Sequence, residues 1–229
     1  MVVFTPYDWQ EGIGNRAQYI EGKLAQGAPV LAISLPEGIL VFTFRRQSRK
    51  IYEIYDRLIF AGVGQQSDVE AVRMAALEFA SKEGFNRSEE DVTIQRVVTA
   101  LSAPMKKAFS DFSASPVVAR SLFCEVGATP AEDMFFVLDY DGDYSTSRRF
   151  ATVTGPDEIP DAVAEKLSGL SDSSAKDALD ELETLWTSLM DPEGVRGDEV
   201  RKGLSPEAVL LERSSARDNR FRLLTPEDF

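Results

Sequence analysis

The sequence predicts an α+β fold in which largely antiparallel sheets carry helices segregated into layers. Three observations lead there. The order of elements is helix, strands, two consecutive helices, strands, then helices and a last strand pair; this is not the alternation of parallel βαβ units. The clearest strand runs are apolar at nearly every residue, as strands covered on both faces are. The chain has 229 residues, 43% hydrophobic and 28% charged, which suits one large domain whose core needs no covalent staples.

The first element is a helix over residues 10–26. Ile13, Ala17, Ile20 (with Tyr19) and Leu24 recur on one face, and Gly27 follows as a stop signal. Gly12, Gly14 and Gly22 weaken it, so its stability should come from docking. Two strands, 29–35 and 38–44, flank Pro36-Glu37 as a tight hairpin. Arg45, Arg46, Arg49 and Lys50 then form a basic cluster, and a strand over 57–63 ends at Gly64. Ser67 with Glu70 has the spacing of a capping box for a helix running to Gly84, which buries Val69, Val72, Ala76 and Phe79 or Ala80. A second helix begins after Ser88, and Pro104 should kink or split it. Strands are expected at 121–126 and 134–138, then a turn at Tyr140-Asp141-Gly142, then a strand at 148–153. Helices fit 159–167 and a longer stretch holding Ala175, Leu179, Leu182, Leu185, Trp186 and Leu189. Two strands, 208–212 and 221–224, close the chain.

Composition excludes much chemistry. There is no histidine, which removes Ser-His and Cys-His nucleophilic pairs, histidine bases and histidine metal clusters. The one cysteine, Cys124, can make neither an intrachain disulfide nor a cysteine zinc site. The formal charge of −13 argues against nucleic acid as a partner. Most of it lies in 155–200, where 13 acidic and 3 basic residues leave −10, read as a solvated helix face. No stretch reaches the roughly 20 apolar residues of a membrane span, and the first residues do not read as a signal peptide. A cytoplasmic protein without membrane contact is expected. Asp139, Asp141 and Asp143 lack the glycine and glutamate of an EF-hand loop and read as turn residues, so no metal or cofactor is expected.

One collinear set of strings carries a resemblance. Lys50-Ile51-Tyr52-Glu53-Ile54-Tyr55-Asp56-Arg57, followed by Phe60-Ala61-Gly62-Val63-Gly64, is similar to the Lys-Ile-x-x-Leu-Tyr-Asp-Arg … Phe-Ala-x-x-Gly stretch of bacterial proteasome α-type subunits. The helix before Gly27, Asp91-Val92-Thr93, the Tyr140-Asp141-Gly142 turn and the last strand pair continue the likeness from about Pro6 to Thr225. It implies a four-layer αββα sandwich of the N-terminal-nucleophile hydrolase type. The domain would be a single one, 1–229, with 1–9 a gate-like tail and 10–26 the additional N-terminal helix.

The resemblance also implies roles. Related β subunits cut peptides with a freed N-terminal threonine whose own amine is the base. Here the matching position is Ala28, followed by Pro29, and the matching acid is Phe44, so of the trio only Lys50 remains. No catalytic residue is expected. Lys50 and Gly64 instead match a pocket between neighbouring subunits that binds the C-terminal carboxylate of an AAA-type ATPase or other activator tail. Phe4, Pro6 and Tyr7 would belong to the gate, and Tyr140, Asp141 and Gly142 would line the pore. Partners implied are other copies in a ring, catalytic β subunits and the activator. Two departures from the family, Pro104 and the helix glycines, leave alternatives open. These are a self-assembling proteasome-like protein, or an N-terminal-nucleophile hydrolase acting without a β partner.

Overall fold

The computed structural model describes residues 6–156 and 159–225, with the backbone alone at Pro6 and Asp198. The chain opens with α1 (Pro6–Leu24), then two hairpins: β1 (Val30–Leu35) with β2 (Gly38–Arg45), and β3 (Ile51–Tyr55) with β4 (Leu58–Gly64). Two consecutive helices follow, α2 (Gln66–Asn86) and α3 (Ile94–Ser110). Next come β5 (Ala119–Glu125), β6 (Met134–Leu138), β7 (Tyr144–Ser147) and β8 (Phe150–Val153). Two helices, α4 (Asp161–Gly169) and α5 (Ala175–Met190), precede β9 (Ser205–Glu212) and β10 (Phe221–Leu223). One sheet has the order β10-β9-β2-β1-β8 and the other β3-β4-β5-β6-β7, and every pairing is antiparallel.

Three apolar layers make this an αββα sandwich. Strand period two explains why β1 has no polar face: Val30 and Ala32 pack between the sheets, while Leu31, Ile33 and Leu35 pack under α4 and α5. The other outer layer joins Phe60, Phe123 and Phe136 to Val72, Ala76 and Ala80 of α2 and to Val97, Val98 and Leu101 of α3. Trp186 of α5 is fully buried against Phe44, and its Nε1 donates to the Pro29 carbonyl at 2.9 Å. That bond fixes the outer helix to the start of β1.

α1 lies across one end and is held by docking, as its glycines require. Ile20 and Leu24 enter the layer between the sheets. Trp9 meets Phe112 edge to face at 5.0 Å, and Arg16 donates from Nη2 to the carbonyls of Ala108 and Ala114 at 3.0 and 3.1 Å. Gly12 permits the approach, since a Cβ there would stand 3.2 Å from the Phe112 ring.

Several boundaries differ from expectation. α1 starts at Pro6, not at residue 10, so the expected tail 1–9 is partly helical; proline suits a first helical position because its missing N–H has no partner there anyway. Tyr19 is half exposed and outside the buried stripe. α2 begins at Gln66 with no side-chain cap at Gln65: Glu70 pairs with Arg73, and Asp68 accepts from the Val118 N–H at 2.8 Å. Pro104 does not split α3, which runs unbroken through it. Pro104 is exposed, on the face of α3 away from the buried Val97, Val98, Leu101 and Met105. The strand expected at 148–153 is β8, over 150–153, and ahead of it lies an unexpected strand, β7, in the other sheet. β3 had not been recognised as a strand at all.

Candidate functional site

The connection between β2 and β3 is the basic run Arg45–Lys50. It crosses the end of the sandwich where β4 terminates and α2 begins. Together these elements enclose a pocket of about 670 Å³ lined by Arg46, Arg49, Lys50, Gly64, Gln66 and Val69, among others. The structure therefore places Lys50 and Gly64, both singled out in the sequence, in one pocket.

Lys50 is half-buried and its Nζ donates to the Ala28 carbonyl at 2.6 Å. Burial lowers its pKa to about 8, and Glu207 partly opposes that shift. Glu207, on β9, is 5% exposed and accepts from the Lys50 N–H at 2.9 Å, with Arg45 Nε at 3.5 Å. Its own pKa is raised by burial, against the two backbone donors and the arginines that pull it down. Glu207 thus fixes the backbone of the Lys50 turn. Sequence reasoning missed it because the last strands were expected to start at Ala208. The available signal was a lone charge preceding the apolar run Ala208–Leu211.

Gly64 ends β4 with φ +143, and a Cβ there would fall 2.0 Å from the Val118 carbonyl oxygen. Gly64→Ala is therefore expected to cost about 1–3 kcal/mol of stability, read as a lowered midpoint in thermal denaturation. An unchanged midpoint would mean that the backbone can swing away.

The other sequence candidates fall elsewhere. Phe4 lies outside the described residues. Pro6 and Tyr7 form the first turn of α1, where Tyr7 is 83% exposed. Tyr140 is buried, and its ring stacks at a tilt on Phe109 at 5.4 Å while its hydroxyl donates to Glu21 Oε1 at 2.8 Å. Burial and Glu21 together hold that phenol far above its ordinary value. Gly142 is buried too, with φ +88, and its carbonyl accepts from Ser102 Oγ at 2.6 Å. Tyr140 and Gly142 therefore clamp the turn to α1 and α3, and of the three only Asp141 keeps a part-exposed surface. The hollow beside this turn, about 340 Å³, has Arg120 along one wall. That guanidinium is occupied by Asp139 at 2.8 Å and by the carbonyls of Thr154 and Gly155. Among the described residues no cluster of three acidic or cysteine side chains is placed to hold a metal ion.

Nothing at the start of β1 resembles a nucleophile. Ala28 has no hydroxyl, Phe44 stands at the far end of β2 and packs on Trp186, and the one nearby amine is hydrogen-bonded to a carbonyl. Thr43 is buried and its hydroxyl donates to Pro29 O at 2.5 Å. No helix among the described residues is long and apolar enough to cross a membrane.

No protein-family model matches the chain. Curated relatives do. The proteasome subunit alpha of Jonesia denitrificans is 30% identical over 222 residues, which cover 95% of this chain and 91% of the relative. That of Streptomyces coelicolor is 25% identical over 220 residues, covering 93% and 83%, and that of Frankia alni 26% over 223, covering 95% and 90%. With these relatives, an αββα sandwich and an added helix ahead of it, this chain belongs to the family of proteasome α subunits, the non-catalytic subunits of that complex.

Proposed function

We propose that the protein forms the outer ring of a proteasome core particle, stacked on catalytic β subunits, and that it controls entry rather than cutting peptides. Residues around Phe4, Pro6 and Tyr7 obstruct the entrance, and the turn at Tyr140-Asp141-Gly142 faces the axis through Asp141. The pocket at Lys50 and Gly64 receives the C-terminal carboxylate of an activator, an AAA-type ATPase being the expected class, in the cytoplasm.

One observation carries this reading: the half-buried ammonium of Lys50 sits in a basic pocket and holds the Ala28 carbonyl. Ala28 lies in the short link between α1 and β1. A carboxylate arriving at Lys50 competes with that carbonyl as acceptor and wins on charge. The short link between α1 and β1 then loses that contact, while α1 itself stays docked through Ile20, Leu24, Trp9 and Arg16. Tail binding is thereby felt at the foot of α1 through the Lys50–Ala28 bond.

The test is assembly followed by stimulation. Co-expressed with a β subunit from the same genome, the protein is expected to give stacked rings in negative-stain images. Those particles should degrade an unfolded protein faster when a tail peptide with a free carboxylate is added. A protein that remains monomeric both alone and with the β subunit would overturn the reading.

A further inference from the structure

The rim of the Lys50 pocket holds more positive charge than one carboxylate needs. Arg46 and Arg49 both line it, both are exposed, and neither guanidinium has a hydrogen bond or ion pair among the described residues. Arg45 differs, being engaged by Glu207 and by the Gln47 carbonyl. Most other arginines meet a carboxylate, as Arg57, Arg73, Arg120, Arg213 and Arg220 do, while Arg16 and Arg148 are held by carbonyls. Arg46 and Arg49 thus put two exposed guanidiniums without a carboxylate on one pocket of a chain whose net charge is −13. Gln66 and Val69 of α2 also line the pocket, and the carboxylate in that first turn, Asp68, is engaged by the Val118 N–H.

Resting on the docking function proposed above, we infer that the partner's tail is acidic as well as carboxylate-ended. Its terminal carboxylate meets Lys50, and an Asp or Glu at the next-to-last or preceding position meets Arg46 and Arg49. Chain geometry supports the spacing. Successive residues of an extended peptide advance about 3.5 Å, which carries the residues before the terminus from the pocket floor to its rim. Arginine forks suit a side-chain carboxylate at such a rim, while the more enclosed ammonium suits the terminal one.

Three synthetic seven-residue peptides decide the matter, with binding to the assembled protein followed by fluorescence anisotropy. One ends in a free carboxylate with Glu at the second- and third-last positions. The second carries Gln at both, and the third is the acidic peptide with its terminus amidated. The acidic free-carboxylate peptide is expected to bind about tenfold more tightly than the Gln peptide at low ionic strength, from two exposed ion pairs. The difference should shrink at 0.5 M salt, as rim electrostatics do. The double variant Arg46→Gln/Arg49→Gln should erase the preference, so that the acidic and Gln peptides bind it equally. Equal binding of the acidic and Gln peptides would overturn the inference and leave carboxylate docking intact. Equal binding of the amidated and free-acid peptides would overturn both.

Discussion

Asp133→Ala is expected to lower stability by about 3–5 kcal/mol, on the order of 10 °C in the thermal midpoint for a chain of this size. Asp133 is fully buried and lies between the 3-10 turn at Pro130–Glu132 and the start of β6. Its Oδ1 accepts from Gly127 N at 2.9 Å and Arg213 Nη1 at 2.6 Å. Its Oδ2 accepts from Ser34 Oγ at 2.6 Å and Arg213 Nη2 at 2.8 Å. Ser34 belongs to β1 of one sheet and Arg213 follows β9 of the same sheet, whereas β6 belongs to the other, so this carboxylate joins the two halves of the sandwich. Removing it leaves the Arg213 guanidinium nearly buried without its counter-charge, and it is the stranded charge more than the lost pair that destabilises. The double variant Asp133→Ala/Arg213→Met should therefore recover part of the loss. Denaturant unfolding checks both; a single-variant effect under 1 kcal/mol would show that water reaches Arg213.

The layered architecture was legible in the sequence because both outer faces and the middle of the sandwich are apolar. β1, β2 and α5 are written as runs such as Val30–Leu35 and as the helical spacing of Leu179, Leu182, Leu185 and Trp186, and both patterns survive folding unchanged. What escaped is set by tertiary context. β7 carries Tyr-Ser-Thr-Ser, a polar edge strand with no pattern to mark it; only its partner β6 makes it a strand. The passage from β7 to β8 changes sheets within Arg148 and Arg149, an event that local propensity cannot encode. The capping box at Ser67 failed because Asp68 and Glu70 found stronger partners on other groups, Val118 N–H and Arg73. At the site, Lys50 and Gly64 were recognisable through the family string around them. Glu207 and the unpaired state of Arg46 and Arg49 became visible only when strands distant in sequence met.

Lys50→Met is expected to weaken binding of a free-carboxylate tail peptide by about 30-fold or more, as truncation of one member of an enclosed charge pair does. In the unaltered protein the same bond predicts a pH break. Only the ammonium form attracts a carboxylate. Burial brings the pKa of the empty pocket's Lys50 down to about 8 from 10.5. The charged groups around it are Glu207 from β9, which raises that value, Arg45 at the end of β2, and Arg46 and Arg49 from its own connection. Tail affinity should thus be flat from pH 6 to about 8, then fall toward tenfold per unit, measured by anisotropy with the peptide fully ionised across the range. Lys50→Arg should lack the break if it binds, and a wild-type curve without one would remove Lys50 as the receptor of the carboxylate. Unfolding cannot imitate the effect. Because the folded-state pKa lies below the unfolded one, the protonated side chain opposes folding below about 8, and that penalty is relieved as pH rises through 8 toward 10.5. The one deprotonation that loosens the tail contributes added stability to the fold, so binding and stability should move in opposite directions over the same interval.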